Sequence, residues 1–226
     1  MTLSDTVYEK LRADIVQGRF PPLQPLRLEQ LKREYGVGFS PLREALNRLV
    51  AEGFLTFQNN RGFFCRPLTP SYIMDLYEAR VAVECEATRL ACTRAPDEDI
   101  AALADYLNRM EPEYESATDP EALLAMDESF HARLAQLSGN SELQRILNNL
   151  NGRIRYIRLI DLKRMRDRAG GKAPGDISAH RQIVEGIAAR NTEAAVAAMR
   201  SHIEKRREEA TEAVRIAFSQ LYVPDE

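Results

Sequence analysis

The stretch GVGFSPLREALNRLVAEGF, residues 36–54, predicts a glycine turn that leads into a short amphipathic helix. Ser40 is a suitable N-cap, because its hydroxyl can accept a hydrogen bond from a free amide of the first turn. Pro41 suits the first helical position, where its missing N–H leaves nothing unsatisfied. One face of the helix is apolar, at Leu42, Ala45, Leu46, Leu49 and Val50. With the amphipathic segment 28–35 before it, the pattern indicates a helix-turn-helix, whose second helix enters a DNA major groove.

The flanking segments extend this motif into a small domain. An amphipathic helix is expected over about residues 4–17. After the helix-turn-helix, two strand-like runs occur, 54–58 and 63–66, joined by the sequence Asn-Asn-Arg-Gly at residues 59–62. Asn and Gly tolerate the positive φ angles that a hairpin turn requires. Three helices and a hairpin predict a winged helix-turn-helix domain over residues 1–67.

The remainder of the chain, residues 68–226, predicts six further amphipathic helices and no convincing strand. Their approximate bounds are 70–93, 96–114, 120–138, 141–168, 177–189 and 192–222. Ser141 is expected to cap the fourth, and the stretch AGGKAPGD at residues 169–176 interrupts the series. Short connections between successive amphipathic helices favour an antiparallel all-helical bundle. The expected fold is therefore mostly α, with a winged helix-turn-helix followed by a helical bundle.

Composition and charge exclude several classes of protein. The hydrophobic content of 44% and charged content of 29% are typical of a globular protein, and no run of 18 apolar residues could span a membrane. No secretory signal is expected, and Cys65, Cys85 and Cys92 lack metal-binding spacing, which suits structural thiols in a reducing cytoplasm. Residues 1–70 carry ten Lys and Arg against seven Asp and Glu, whereas the rest carries 21 against 27. A basic N-terminal region followed by an acidic remainder is consistent with DNA binding by the N-terminal region.

All three histidines of the chain lie in the predicted bundle, on apolar helix faces. Asp127 and His131 are four residues apart and therefore share one face. His180 and His202 lie on the apolar stripes of their own helices. Buried imidazoles and carboxylates are costly unless they are paired or bind a metal, and a set of three His and one Asp suits a borderline divalent ion. Hydrogen-bonded structural histidines and a local Asp127–His131 salt bridge are the alternatives.

Two sets of residues also occur in the order of a known family. The first set is Tyr8, Leu11, Arg12, Ile15, Gly18, Leu31, Gly36, Val37, residues 40–46, Leu49, Glu52, Gly53 and Gly62. The second set is Arg80, Glu84, Asp127, Phe130, His131, residues 138–140, His180, Ile183 and His202. On these residues the chain resembles the GntR family of bacterial transcription regulators, in its FadR-like branch with a helical effector domain of the FCD type. The resemblance covers nearly the whole chain.

The resemblance implies a ligand-responsive transcription regulator, more often a repressor, that binds a pseudo-palindromic double-stranded DNA operator as a cytoplasmic homodimer. The family's metal ligands match Asp127, His131, His180 and His202. The implied ion is divalent, zinc first, with nickel or manganese as alternatives. Arg80 matches an arginine of the effector pocket and is expected to pair with the carboxylate of a small organic acid. From the residues alone, a surface salt bridge of Arg80 with Asp75 or Glu84 is equally consistent.

The resemblance also indicates which residues contact DNA. The matching positions are Arg27, Phe39, Ser40, Arg43, Asn59 and Asn60. Arg43 is the candidate for hydrogen bonds to guanine O6 and N7, and Arg27 and Ser40 are candidates for phosphate contacts. Many relatives have an arginine where this chain has Phe39. A phenyl ring cannot make the same hydrogen bonds, although it could contact a thymine methyl group.

Two other functions are open from the residues alone. A metal site of three His and one Asp could activate water, which would make the protein a metal-dependent hydrolase. No second carboxylate is obviously placed as a general base for that reaction. Alternatively, the bundle could be a helical interaction module with a purely structural metal.

Overall fold

The computed structural model describes residues 2–168 and 177–221. The chain divides into two units, one up to Thr69 and the other from Pro70 onward. The sequence places this boundary two residues earlier, after Pro67. The predicted interruption at residues 169–176, and Tyr222 at the end of the last predicted helix, lie outside the described residues.

Over residues 2–69 the structure has three helices and a three-stranded sheet. These elements are α1 (Leu3–Val16), β1 (Pro25–Leu26), α2 (Leu28–Tyr35), α3 (Phe39–Ala51), β2 (Leu55–Gln58) and β3 (Gly62–Cys65). The strands lie in the order β1-β3-β2 and both pairings are antiparallel. The hairpin β2–β3 is the predicted wing, with positive φ at Asn60 and Gly62. Strand β1 was not expected, because two residues are too few to show an alternating pattern.

The turn between α2 and α3 follows the prediction, but α3 begins earlier than expected. Gly36 ends α2 with φ of 66°, the left-handed conformation that glycine adopts without steric cost. Helix α3 starts at Phe39 with Gly38 as its N-cap, and no side chain caps it. The prediction that Ser40 is the N-cap was therefore wrong. Pro41 is compatible with any position of the first turn, including the third, so it does not determine where the helix begins.

The apolar face of α3 is the centre of the N-terminal core. Four of its residues are fully buried, namely Leu42, Ala45, Leu46 and Leu49, and Val50 is half-buried against them. Leu11 of α1, Leu31 of α2 and Leu55 of β2 belong to the same cluster. Because this face is buried, the opposite face of α3 is the one left exposed to solvent.

In the described part of the second unit, residues 70–168 and 177–221, the structure has six helices and no strand. They are α4 (Pro70–Arg94), α5 (Asp97–Ser116), α6 (Pro120–Leu137), α7 (Ser141–Arg168), α8 (Ser178–Ala188) and α9 (Thr192–Leu221). Helix α4 packs against α6, α7, α8 and α9, which makes it the central helix of the predicted bundle. The cap of α7 is Asn140 rather than Ser141, since Asn140 Oδ1 accepts from the amides of Glu142 and Leu143. None of the described helices has the length and apolarity to cross a bilayer.

The three cysteines are free and buried. Burial raises the pKa of the Cys65 thiol to about 12, and it also raises the pKa of Cys85 and Cys92. Thiols with raised pKa values form little reactive thiolate at neutral pH. The cysteines therefore act as small apolar core residues, as expected from the sequence.

Gly186 allows α8 to approach the start of α9 closely. A Cβ atom at this position would lie 2.8 Å from the backbone N and Cα of Ala195, nearer than packed atoms come. We expect Gly186→Ala to force the two helices apart and lower the free energy of unfolding by about 1–3 kcal/mol. Urea denaturation measures this change, with Glu185→Ala on the exposed side of α8 as the control. An unchanged or increased stability would show that the helices can separate without loss.

Candidate metal centre and DNA-contacting surface

Three helices of the bundle bring the four predicted metal ligands together. Asp127 and His131 lie on α6, His180 on α8 and His202 on α9. All four are buried, and one ligand atom from each lies within 4.8 Å of the others. The inward faces that helical periodicity predicted thus converge on one point in the interior. We refer to these four residues as the His–Asp cluster.

Three distances within the His–Asp cluster are close to those between ligands of one small ion. His131 Nε2 lies 3.2 Å from His202 Nε2 and 3.6 Å from Asp127 Oδ2. His180 Nε2 lies 3.3 Å from Asp127 Oδ1. Ligands bound tetrahedrally to zinc at about 2.0–2.1 Å are about 3.3–3.4 Å apart. These three distances are therefore close to those of a tetrahedral zinc site, and one ligand atom from each of the four residues lies within 4.8 Å of the others.

His180 provides an independent reason to expect a ligand in the cluster. Both of its ring nitrogens are buried, and neither makes a well-directed hydrogen bond within the described residues, although Nε2 lies 3.3 Å from Asp127 Oδ1. A buried polar atom without a partner costs free energy, and such atoms are rare in folded proteins. A cation bound by His180 Nε2 would satisfy this nitrogen.

The electrostatics of the cluster favour the protonation states that bind metal. Burial lowers the pKa of His131 and, more strongly, that of His202, so both imidazoles are neutral near pH 7. Burial opposes ionisation of Asp127, but the adjacent Arg158 guanidinium holds its pKa well below the usual value. Metal ligands must be neutral imidazoles and ionised carboxylates. His131, His202 and Asp127 are already in these states.

Glu84 of α4 orients His131 within the cluster. Its carboxylate accepts a hydrogen bond from His131 Nδ1, which leaves Nε2 facing the other three ligands. Burial opposes ionisation of Glu84, yet Arg80 and His131 lower its pKa to about 2. Metal-binding histidines generally donate their second ring nitrogen to such a carboxylate. The sequence analysis named Glu84 as a possible partner of Arg80 and as one of the residues that carry the family resemblance, but it did not predict a contact of Glu84 with His131.

Arg80 is buried beside the cluster, not exposed on the surface. Its Nε donates to Glu84, and both side chains are 1% exposed. The alternative of a salt bridge with Glu84 is thus found, but in the interior. Arg80 Nη2 is buried without a hydrogen-bond partner among the described residues, so one donor is available. The pairing of Arg80 with an effector carboxylate stays a prediction.

A small cavity adjoins Asp127 and is lined by two arginines that the sequence analysis did not select. Arg158 of α7 forms a buried ion pair with Asp127, and Arg206 of α9 also faces the cavity. Arg158 Nη1 has no hydrogen-bond partner among the described residues. Burial and the neighbouring Glu209 raise the pKa of Asp161, in the same wall, to about 6. The cavity volume is about 20 Å³, which is room for about one water molecule.

In the N-terminal unit, all six predicted DNA-contacting residues are exposed. They are Arg27, Phe39, Ser40, Arg43, Asn59 and Asn60. Glu44 and Asn47 share the exposed face of α3 with Arg43, and Arg61 is exposed beside the two asparagines in the wing. The sequence analysis did not select these three residues for DNA contact, although the spacing of Arg43 and Asn47 already put both on one helical face.

The arginines of this unit differ in whether they form ion pairs within the protein. Arg19 forms ion pairs with Asp14 and Glu34, and Arg48 pairs with Asp5. Arg27 and Arg43, in contrast, form no ion pair with any residue in the described ranges 2–168 and 177–221. Cations without a carboxylate partner are available for phosphates and base edges. The positive charge that is free to bind DNA thus includes two of the arginines predicted for that role.

Comparison with known proteins agrees with this division of the chain. Residues 3–65 match the family described as bacterial regulatory proteins, gntR family, and residues 75–205 match the FCD domain. The chain belongs to the GntR family of transcriptional regulators. Its second half is the helical FCD domain that the sequence resemblance implied.

Individual members of the GntR family are similar along most of their length. The chain is 37% identical over 207 residues to the Nta operon transcriptional regulator of Aminobacter aminovorans, covering 92% of this chain and 94% of that protein. It is 29% identical to the transcriptional repressor GlaR of Escherichia coli K12, over 87% of this chain and 90% of GlaR. A putative GntR regulator from Rhodococcus sp. RHA1 has the same fold, with a TM-score of 0.70, 22% identity, and coverage of 93% and 98%. The chain is therefore a DNA-binding transcriptional regulator and not an enzyme, which sets the hydrolase alternative aside.

Proposed function

We propose that this GntR-family regulator is a cytoplasmic repressor that binds a pseudo-palindromic operator as a homodimer and responds to a small organic acid. The observation that carries the proposal is the buried His–Asp cluster, whose spacing and protonation states suit a divalent cation. A homodimer matches the two-fold symmetry of such an operator. A repressor role is supported by the similarity to GlaR, which is named as a repressor.

The metal ion in this proposal is zinc, with nickel or manganese as alternatives. Three imidazole nitrogens and one carboxylate oxygen form a donor set that all three ions accept. Bound there, the ion would act as a Lewis acid with coordination positions available for an oxygen ligand. The ligands would be Asp127, His131, His180 and His202.

The proposed effector is a small carboxylate that binds at the metal and beside the arginines of the bundle. Arg158 and Arg206 line the cavity next to Asp127, and Arg80 has an unused donor. Guanidinium groups suit carboxylates because they can donate two parallel hydrogen bonds. The cavity of about 20 Å³ is too small for an organic acid, so binding requires α7 and α9 to move. In this proposal the opened state binds the operator less tightly, so a ligand that binds only the opened bundle lowers DNA affinity.

Fluorescence anisotropy on the DNA upstream of its own gene tests the proposed regulator. We expect the zinc-loaded protein to bind this duplex at least about 100-fold more tightly than a scrambled duplex at the same salt concentration. Among a panel of dicarboxylates, hydroxy acids and sugar acids, an effector should weaken operator binding and raise the melting temperature only when zinc is present. The scrambled duplex controls for non-specific effects of the acid. Equal, weak binding to both duplexes would contradict operator recognition at this site.

A further inference from the structure

Lys32 and Phe39 are packed together where the recognition helix begins. Lys32 lies in the last turn of α2, and its Nζ is 4.5 Å from the centroid of the Phe39 ring, the first residue of α3. Lys32 forms no ion pair with any residue that the structure describes, so the ring face is the partner of its ammonium group. A cation over an aromatic face is attracted by the ring quadrupole. We refer to these two residues as the Lys32–Phe39 pair.

Phe39 is the one large apolar side chain on the exposed face of α3, a helix that the structure describes throughout. Ser40, Arg43, Glu44 and Asn47 are all exposed and polar, whereas Phe39 exposes 39% of its surface in the same helix. Residues at the N-terminus of a recognition helix contact base edges in the major groove. The apolar feature of that groove is the 5-methyl group of thymine. An exposed ring at this position therefore matches a thymine better than any other base.

Lys32 provides a positive charge beside the Phe39 ring, which has no charge of its own to bind a DNA phosphate. Its ammonium is a flexible point charge, suited to a phosphate oxygen more than to the two-acceptor edge of guanine. In helix-turn-helix proteins the first helix of the motif crosses the DNA backbone, and Lys32 lies on that helix. The ring face holds the ammonium at the start of α3, close to where that backbone would pass.

We propose that the Lys32–Phe39 pair contacts DNA as one unit: the Phe39 ring packs on a thymine methyl group, and the Lys32 ammonium binds the phosphate flanking that thymine. An arginine at position 39 would provide a cation and a planar group in a single side chain. Here two residues provide them separately, and each depends on the other for its position. This inference rests on the proposed DNA-contacting role of α3, and it predicts one thymine in each half of the operator.

Uracil substitution tests the ring contact, because uracil lacks only the 5-methyl group of thymine. The experiment uses full-length zinc-loaded protein and the upstream duplex, with each thymine replaced in turn by uracil. We expect one position per half-site at which uracil weakens wild-type binding by about fourfold, the effect of one buried methyl group, and Phe39→Ala to bind both duplexes equally. In Phe39→Leu the apolar side chain remains, so part of the discrimination should also remain. Circular dichroism checks that each variant is folded.

Lys32→Ala tests the phosphate contact and the coupling within the pair. Log affinity falls with log salt concentration, and each lost phosphate contact makes this fall less steep by about 0.9. Lys32→Ala should therefore show a shallower slope by about that amount per protomer. It should also reduce the preference for thymine over uracil, because the ring loses the ammonium that holds it. Lys10→Ala removes one charge from the exposed side of α1 and should leave the thymine preference unchanged.

Two results would overturn the inference: tolerance of uracil within twofold at every position, or an unchanged salt slope in Lys32→Ala. These results differ from a failure of the proposed function. Protein that does not prefer the upstream duplex over the scrambled one contradicts the operator itself. A second combination contradicts only the role of the Lys32–Phe39 pair. In that case the wild type prefers the upstream duplex and Arg43→Ala loses this preference, but uracil substitution does not change wild-type affinity.

Discussion

Zinc is expected to raise the melting temperature of the metal-free protein by about 10 °C. At a free zinc concentration about 1,000 times its dissociation constant, binding to the folded state alone adds about 4 kcal/mol to the free energy of unfolding. For a domain of about 150 residues, each kcal/mol corresponds to roughly 2–4 °C. Differential scanning calorimetry, with protein first treated with chelator and then titrated with zinc, nickel or manganese, measures the shift for each ion.

His180→Leu should be less stable than the wild type in zinc, but not less stable than the wild type in the absence of metal. In zinc, the variant lacks one of four ligands and should lose most of the metal-dependent increase. Without metal, it should be as stable as the wild type or more stable, because the buried His180 Nδ1, which has no hydrogen-bond partner among the described residues, is removed. His180 is preferred to His131 for this test, since His131 also holds the hydrogen bond to Glu84.

Glu185→Gln is the matched control for the metal experiment. Glu185 lies on the exposed side of the same helix, α8, so the substitution should retain the full increase with zinc. A zinc-dependent increase that persists in His180→Leu would show that the ion binds elsewhere. The absence of any increase in the wild type would contradict a metal centre formed by the His–Asp cluster.

The fold could be predicted because the sequence repeats apolar residues at helical spacing. Leu42, Leu46 and Leu49 define the buried face of α3, and the same reasoning placed the helices of the bundle within a few residues of their observed bounds. The start of α3 and the two-residue strand β1 could not be predicted in this way. Helix starts depend on backbone hydrogen bonds, and β1 exists only because β3 lies beside it.

The candidate metal centre was predictable only in part. The spacing of apolar residues predicted that His131, His180 and His202 face inward, because that spacing is a local property of each helix. The hydrogen bond of His131 with Glu84 spans 47 residues, and the ion pair of Asp127 with Arg158 spans 31. Such contacts depend on how helices pack side by side, which the spacing of residues within one helix does not encode. The orienting and charge-balancing groups therefore appeared only in the structure.

Arg43→Ala should reduce affinity for the operator by about 30-fold or more. Arg43 is exposed on α3 and has no ion-pair partner in the described residues, so its guanidinium is free to bind guanine O6 and N7. One such contact contributes about 1–3 kcal/mol of discrimination, and the proposed homodimer makes it twice. Binding to a scrambled duplex should fall far less, since only one charge per protomer is lost. Anisotropy titrations of both duplexes at one salt concentration give the ratio.

Arg43→Lys and Arg48→Gln separate base recognition from charge and from helix integrity. Lysine retains the charge but cannot form the paired hydrogen bonds, so Arg43→Lys should keep scrambled-duplex affinity and lose most of the preference for the operator. Arg48 lies on the same helix, where its guanidinium contacts Asp5 and the Tyr8 ring. Because that side chain is already engaged within the protein, Arg48→Gln should keep the operator preference within about threefold. An Arg43→Ala affinity within twofold of the wild type would mean that α3 does not recognise bases through Arg43.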